Sequence, residues 1–175
     1  GAYGWNYGGY YVGTYTASMY PGGPSVDVYC VDSAHMVSSS SWTAYVSRLE
    51  SGSIGNTYLG ESALDRYWRA AYLSTKFTPG ISNTQAATIH ALIWNTTTGA
   101  LPSSTFGGLV GSSYYNQLQS ELASTDYATW RSSQDGQWAL LTDVDGNSQE
   151  FLTHSSNVVP EPETWAMLLT GLGIL

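Results

Sequence analysis

Residues 82–99 read SNTQAATIHALIWNTTTG, and this stretch decides the class of the fold. Ser82 with Gln85 three residues on is the signature of a capping box, in which each side chain satisfies the other residue's backbone N–H. Ala86, Ile89, His90, Ile93 and Trp94 then recur at helical spacing on one apolar face, and the run of threonines before Gly99 stops the helix. Upstream, Ser62 is positioned to cap a second helix carrying Leu64, Trp68, Ala71 and Tyr72 on one side, closed by Pro79 and Gly80. Downstream, a Gly/Ser-rich loop at 103–113 leads into a polar helical stretch at about 114–124.

Outside this helical block the chain turns β-prone. Residues 10–20 and 26–32 read as strands separated by the turn Pro21, Gly22, Gly23, Pro24. Residues 138–142 and 149–153 flank Asp145 and Gly146, whose Asp-Gly pair supplies the positive φ of a hairpin. The order strands, helices, strands predicts an α+β domain. N- and C-terminal strands are expected to meet as a β-sandwich or partial barrel, with the helices as an insertion between them.

Composition narrows the function. Only 10% of the 175 residues are charged, with five Lys and Arg and a net charge of -8. No basic stripe able to neutralise several phosphates can be built from five cations, which excludes nucleic acid as a partner. Tyr (14), Trp (7), Gly (19) and runs of Ser and Thr make a surface solvated by hydroxyls and amides, a composition suited to the cell exterior. Cys30 is the sole cysteine, so no intramolecular disulfide exists. The chain starts at Gly1 with no basic and apolar leader, as expected of a mature exported chain whose signal peptide has been cleaved.

Three segments follow. Residues 1–9, with Tyr3, Trp5 and Tyr7 among four glycines, are expected to be a frayed end or an assembly arm that orders only against another subunit. Residues 10–155 form the domain. Residues 156–175 carry Pro160, Glu161 and Pro162 followed by an apolar run from Trp165, shorter than the ~20 residues that span a bilayer.

Val159, Pro160, Glu161, Pro162, Thr164 and the run Leu168, Leu169, Thr170, Gly171, Leu172 resemble the PEP-CTERM sorting signal. The resemblance implies export, transient anchoring of the C-terminal helix in the inner membrane, and cutting near the motif by an exosortase. In that family a full membrane-spanning helix and a basic cluster follow the motif; here the helix is cut short and the cluster is absent. A second resemblance covers most of the remaining chain: YVGTYTASM, VYCVD, SWTAYV, ALIW and SQEFL are similar to the thioester-like domains found in PEP-CTERM proteins. That resemblance implies an acyl bond between a strand cysteine and a helix glutamine, able to capture amines. Cys30 occupies the cysteine position, and Ile93 and Trp94 match the end of the helix motif. The glutamine position falls on His90, which carries no acyl group, so Cys30 and His90 cannot form a thioester.

Other chemistry is weighed from the residues. Gln85 is a weak alternative acyl donor, turned away from the His90 face by its five-residue offset. Cys30 and His90 form a candidate reactive pair for a hydrolase, with Asp32 as a candidate orienting carboxylate; a buried inert thiol is the plainer reading. Asp143 and Asp145 echo a calcium loop but miss its full pattern, and a hairpin turn is the favoured reading. No cofactor is called for. The chain is expected to be a non-enzymatic, extracellular or cell-surface structural protein that self-associates or binds matrix components and assembles into filaments. The alternative is a surface adhesin binding a partner or saccharide.

Overall fold

The computed structural model describes residues 2–35, 37 and 41–158. Six strands form one antiparallel sheet: β1 (Ala2–Tyr7), β2 (Tyr10–Ser18), β3 (Ser25–Cys30), β4 (Ala44–Arg48), β5 (Trp138–Asp143) and β6 (Phe151–His154), in the spatial order β1-β2-β3-β6-β5-β4. Five helices lie between β4 and β5: α1 (Leu64–Ser74), α2 (Asn83–Thr97), α3 (Ser104–Gly107), α4 (Ser113–Leu122) and α5 (Thr125–Ser132). The fold is α+β with a helical insertion between N- and C-terminal strands, as expected. The strands make a single open sheet, however, and not two facing sheets or a closed barrel.

The N-terminal segment departs from expectation. Residues 2–7 are neither frayed nor dependent on a second subunit: they pair with β2 in their own chain, from Ala2 opposite Tyr15 to Tyr7 opposite Tyr10. The cause is the two-residue turn between them. Gly8 and Gly9 take φ of 58° and 87°, and two successive left-handed residues give the turn twist that matches a right-handed hairpin. Strand β1 therefore belongs to the domain.

Helix α2 is the organising element. Its capping box is present in full, with Gln85 N–H donating to Ser82 Oγ (3.2 Å) and Ser82 N–H donating to Gln85 Oε1 (2.9 Å). From Ala86 to Trp94 every residue is buried, because α2 rests on β1 and β2 on one side and is flanked by α1, α3 and α4. Ile89 and Ile93, both fully buried, each contribute roughly 2 kcal/mol of apolar burial. At its C-terminal end, Thr97 Oγ1 donates to the Val31 carbonyl (2.7 Å) and fastens the helix to the end of β3.

Other boundaries shift for local reasons. Ser62 does not cap α1; it lies in a 3₁₀ turn, and the helix enters from Ala63 with no side-chain cap. Helix α1 ends at Ser74, before Pro79, because Thr75 and Lys76 close it with bonds to the Tyr72 and Leu73 carbonyls. The β5–β6 connection is wider than a tight hairpin, since the last pair is Leu141 with Phe151. No helix among the described residues is long and apolar enough to cross a membrane, and the apolar C-terminal run lies outside them.

Candidate functional site

Cys30 ends β3, where its backbone pairs with Phe151 of β6 and its side chain is fully buried. The thiol donates to the Asp32 carbonyl at 3.1 Å. Burial pushes it up to about 12, against the opposing contributions of Trp94 and the Asp32 backbone. His90, also fully buried, reaches the same place from α2. Its Nδ1 accepts the Gly13 backbone N–H at 2.9 Å, which puts the imidazole proton on Nε2, on the side of the Cys30 backbone. The ring stacks on Trp94, with centroids 4.7 Å apart and planes 5° apart, and lies 4.9 Å from Phe77. Burial lowers its pKa to about 3.

The His90 ring therefore lies against the Cys30 backbone, its Nε2 buried without a hydrogen-bond partner among the described residues. A thiolate–imidazolium pair requires a lowered thiol pKa and a histidine that can accept its proton. Here desolvation favours the neutral form of both groups. Asp32 does not orient His90; its carboxylate accepts the Ala34 N–H (2.8 Å) and pairs with Nδ1 of His35.

The weaker candidates resolve in the same way. The Gln85 carboxamide is taken by the capping box at the far end of α2 from Trp94, so it is no acyl donor to Cys30. Asp143 is buried and its carboxylate accepts three backbone N–H groups, from Asp145 (3.2 Å), Asn147 (3.0 Å) and Ser148 (2.9 Å). These bonds hold its pKa below the usual value although desolvation opposes them, and they leave the carboxylate serving the turn; no metal-holding group of His, Cys, Asp and Glu occurs among the described residues. Trp5 and Tyr7 face their own domain, Trp5 against Phe77 and Tyr7 edge-on to Phe106 at 5.5 Å. The side chain of Tyr3, and Pro160, Glu161 and Pro162, lie outside the described residues.

A feature not singled out from the sequence is an open groove of about 1190 Å³. Strand β2 and the turn after it supply Tyr10, Tyr11, Tyr15 and Tyr20; Trp42 comes from the segment before β4 and Trp94 from α2. Tyr15 is fixed by its hydroxyl on the Tyr11 carbonyl (2.8 Å) and Tyr10 by its hydroxyl on the Pro102 carbonyl (3.1 Å). Tyr11 and Tyr20 remain 59% and 62% exposed. Among the described residues, no Lys, Arg, Asp or Glu lines the groove. Its polar groups include His35, held from behind by Asp32, and Gln149, whose Oε1 is buried without a hydrogen-bond partner among the described residues. The surplus of N-terminal tyrosines was the signal available in the sequence; their convergence with Trp42 and Gln149 was not.

Compared with known family models, curated proteins and solved structures, the chain matches none of them.

Proposed function

We propose that this chain is an exported, non-enzymatic surface protein that holds a partner noncovalently in the tyrosine-lined groove. In this reading the Pro160, Glu161 and Pro162 segment addresses it to an exosortase. The observation that carries the binding role is the groove itself: exposed aromatic rings around a concavity, with a few hydroxyl, imidazole and amide groups, is the make-up of a recognition site. Support for the absence of covalent capture comes from Cys30, a buried protonated thiol beside an imidazole that has no acyl group.

The test is adhesion of beads coated with the full chain to the extracellular matrix of its host cells. Adhesion insensitive to thiol alkylation and to added methylamine is expected. Adhesion that is abolished by either reagent overturns the noncovalent reading, and no adhesion at all overturns the binding reading.

A matrix-building role keeps one favourable observation. Strand β1 is an outer strand whose residues AYGWNY include no charge and no proline, the usual devices that stop edge-to-edge pairing. Polymers that form with the chain intact and vanish when a lysine replaces Gly4 would support that role.

A further inference from the structure

We propose that the groove is built for a neutral polysaccharide, stacked on Tyr11, Tyr20 and Trp42 and oriented by His35 and Gln149; this rests on the binding role assigned above. Charge comes first. The wall has no Lys, Arg, Asp or Glu among the described residues, and the chain carries a net charge of -8. An anionic glycan would meet repulsion and find no cation, whereas a neutral one gives up no ionic hydration on entering.

Shape and chemistry come next. A pyranose presents a C–H face and a rim of hydroxyls, so it needs flat apolar platforms flanked by hydrogen-bonding groups of both kinds. Tyr11 and Tyr20 offer rings left largely in solvent, at no further desolvation of protein polar groups. Tyr20 is held over its own turn: a Cβ on Gly23 would lie 2.9 Å from the Tyr20 ring, so only glycine allows this approach while Gly23 N–H donates to the Tyr20 carbonyl (2.9 Å). Trp42 is braced by stacking on Phe151 at 6.4 Å. A platform ordered before the ligand arrives loses little entropy on binding.

The polar groups supply direction. The Asp32 carboxylate fixes Nδ1 of His35, and Tyr58 packs on its ring at 4.8 Å, leaving Nε2 for a ligand. Gln149 lines the groove, and its Oε1, buried and without a hydrogen-bond partner among the described residues, is an acceptor that a small turn of the carboxamide would offer to a sugar hydroxyl. Apolar peptides lack this density of hydroxyl donors, and charged peptides lack a counter-charge in the wall.

The experiment is affinity electrophoresis of the full chain in native gels containing soluble neutral glucans, mannans, galactans or xylans, with alginate as the anionic control. Retardation in at least one neutral gel is expected, with at least a tenfold loss of affinity for Tyr20→Ala and for Trp42→Ala. Tyr45→Ala, an exposed ring outside the groove, is expected to bind as the unaltered chain does. Because Trp42 also packs on the core, Tyr20→Ala and Tyr11→Ala decide the matter if Trp42→Ala does not fold. Mobility unchanged in every neutral gel, stronger retention by alginate, or equal binding by Tyr20→Ala and Tyr11→Ala overturns the proposal. So does a Trp fluorescence change produced by a peptide of residues 159–175 and by no glycan, which would make the chain's own tail the occupant. Bead adhesion without glycan retardation leaves the binding role standing and removes only the glycan.

Discussion

Nδ1 of His90 accepts the backbone N–H of Gly13 at 2.9 Å, joining the middle of α2 to β2 inside the core. That bond gives an imidazole a place on an apolar helix face, since β2 brings a backbone amide there and Nδ1 accepts its hydrogen. His90→Leu is expected to fold but to lose roughly 1–3 kcal/mol, the cost of a buried amide left without an acceptor. Urea unfolding monitored by tryptophan fluorescence measures the difference.

The same histidine sets a pH dependence. Its pKa falls on folding from an ordinary 6.5 to about 3, because burial disfavours the imidazolium. Between those values the unfolded chain binds a proton that the folded chain does not. This contribution to stability is therefore whole above about pH 6.5 and declines as the pH falls towards 3, by up to about 1.4 kcal/mol per pH unit. Glu150 acts with the opposite sign, since burial raises its pKa on folding. Subtracting the urea-derived stability of His90→Leu from that of the unaltered chain at each pH isolates the imidazole, and a difference independent of pH between 6.5 and 3 would refute its role.

Cys30 is expected to behave as a plain thiol under lock. With its side chain fully buried and its pKa near 12, it should resist iodoacetamide in the folded protein and react fully once unfolded, with no ammonia lost from the intact mass. His90→Gln places a carboxamide where Cys30 and α2 meet. In that variant an unchanged mass is expected, because burial holds the thiol protonated whatever stands at position 90; loss of one ammonia, with the Cys30 sulfur replacing the amide nitrogen on the carboxamide carbon, would show that the thiol can attack there.

Tyr67 secures a polar cluster of the core around Glu150. Its hydroxyl donates to Glu150 and accepts the Leu59 N–H, while Thr142 Oγ1 and Tyr58 N–H donate to the other Glu150 oxygen. Tyr67→Phe strips a donor from a buried carboxylate, and about 1–3 kcal/mol of stability should go with it near neutral pH. Thermal denaturation over a range of pH is the check, with the deficit shrinking as falling pH protonates Glu150, whose pKa burial raises.

Asp143 is assigned to turn geometry and not to a cation. Asp143→Ala leaves three backbone N–H groups without their acceptor and is expected to lower stability by about 1–3 kcal/mol. Calcium and chelator should leave the melting temperature of the unaltered chain where it is. A calcium-dependent rise lost in Asp143→Ala would reverse the assignment.

What the sequence revealed follows the range of each interaction. The capping box of Ser82 and Gln85 was readable because both halves lie within one turn of helix. Strand β4 was not, since its register is set by β5, with Val46 opposite Leu141 across the whole helical block. Helix α5 escaped because it is short and buries only Tyr127, which leaves no apolar stripe to detect. At the candidate site, the meeting of Cys30 with position 90 was suggested by resemblance, yet the Gly13 bond that explains His90 joins distant segments. In the N-terminal stretch four glycines read equally as flexibility or as hairpin geometry, and only the pairing of β1 with β2 distinguishes the two.

The junction of β3 with β6, Tyr29 opposite Leu152 and Cys30 opposite Phe151, seals the two ends of the domain to each other. A polypeptide emerging N-terminus first can form the β1–β2–β3 meander early but has no partner for the far side of β3 until residue 152 has appeared. Completion of the fold thus waits for almost the last residue of the domain. Long-range pairing of this kind costs loop-closure entropy before it stabilises anything, so the β3–β6 seam is a late and slow step of folding in whatever compartment the chain folds.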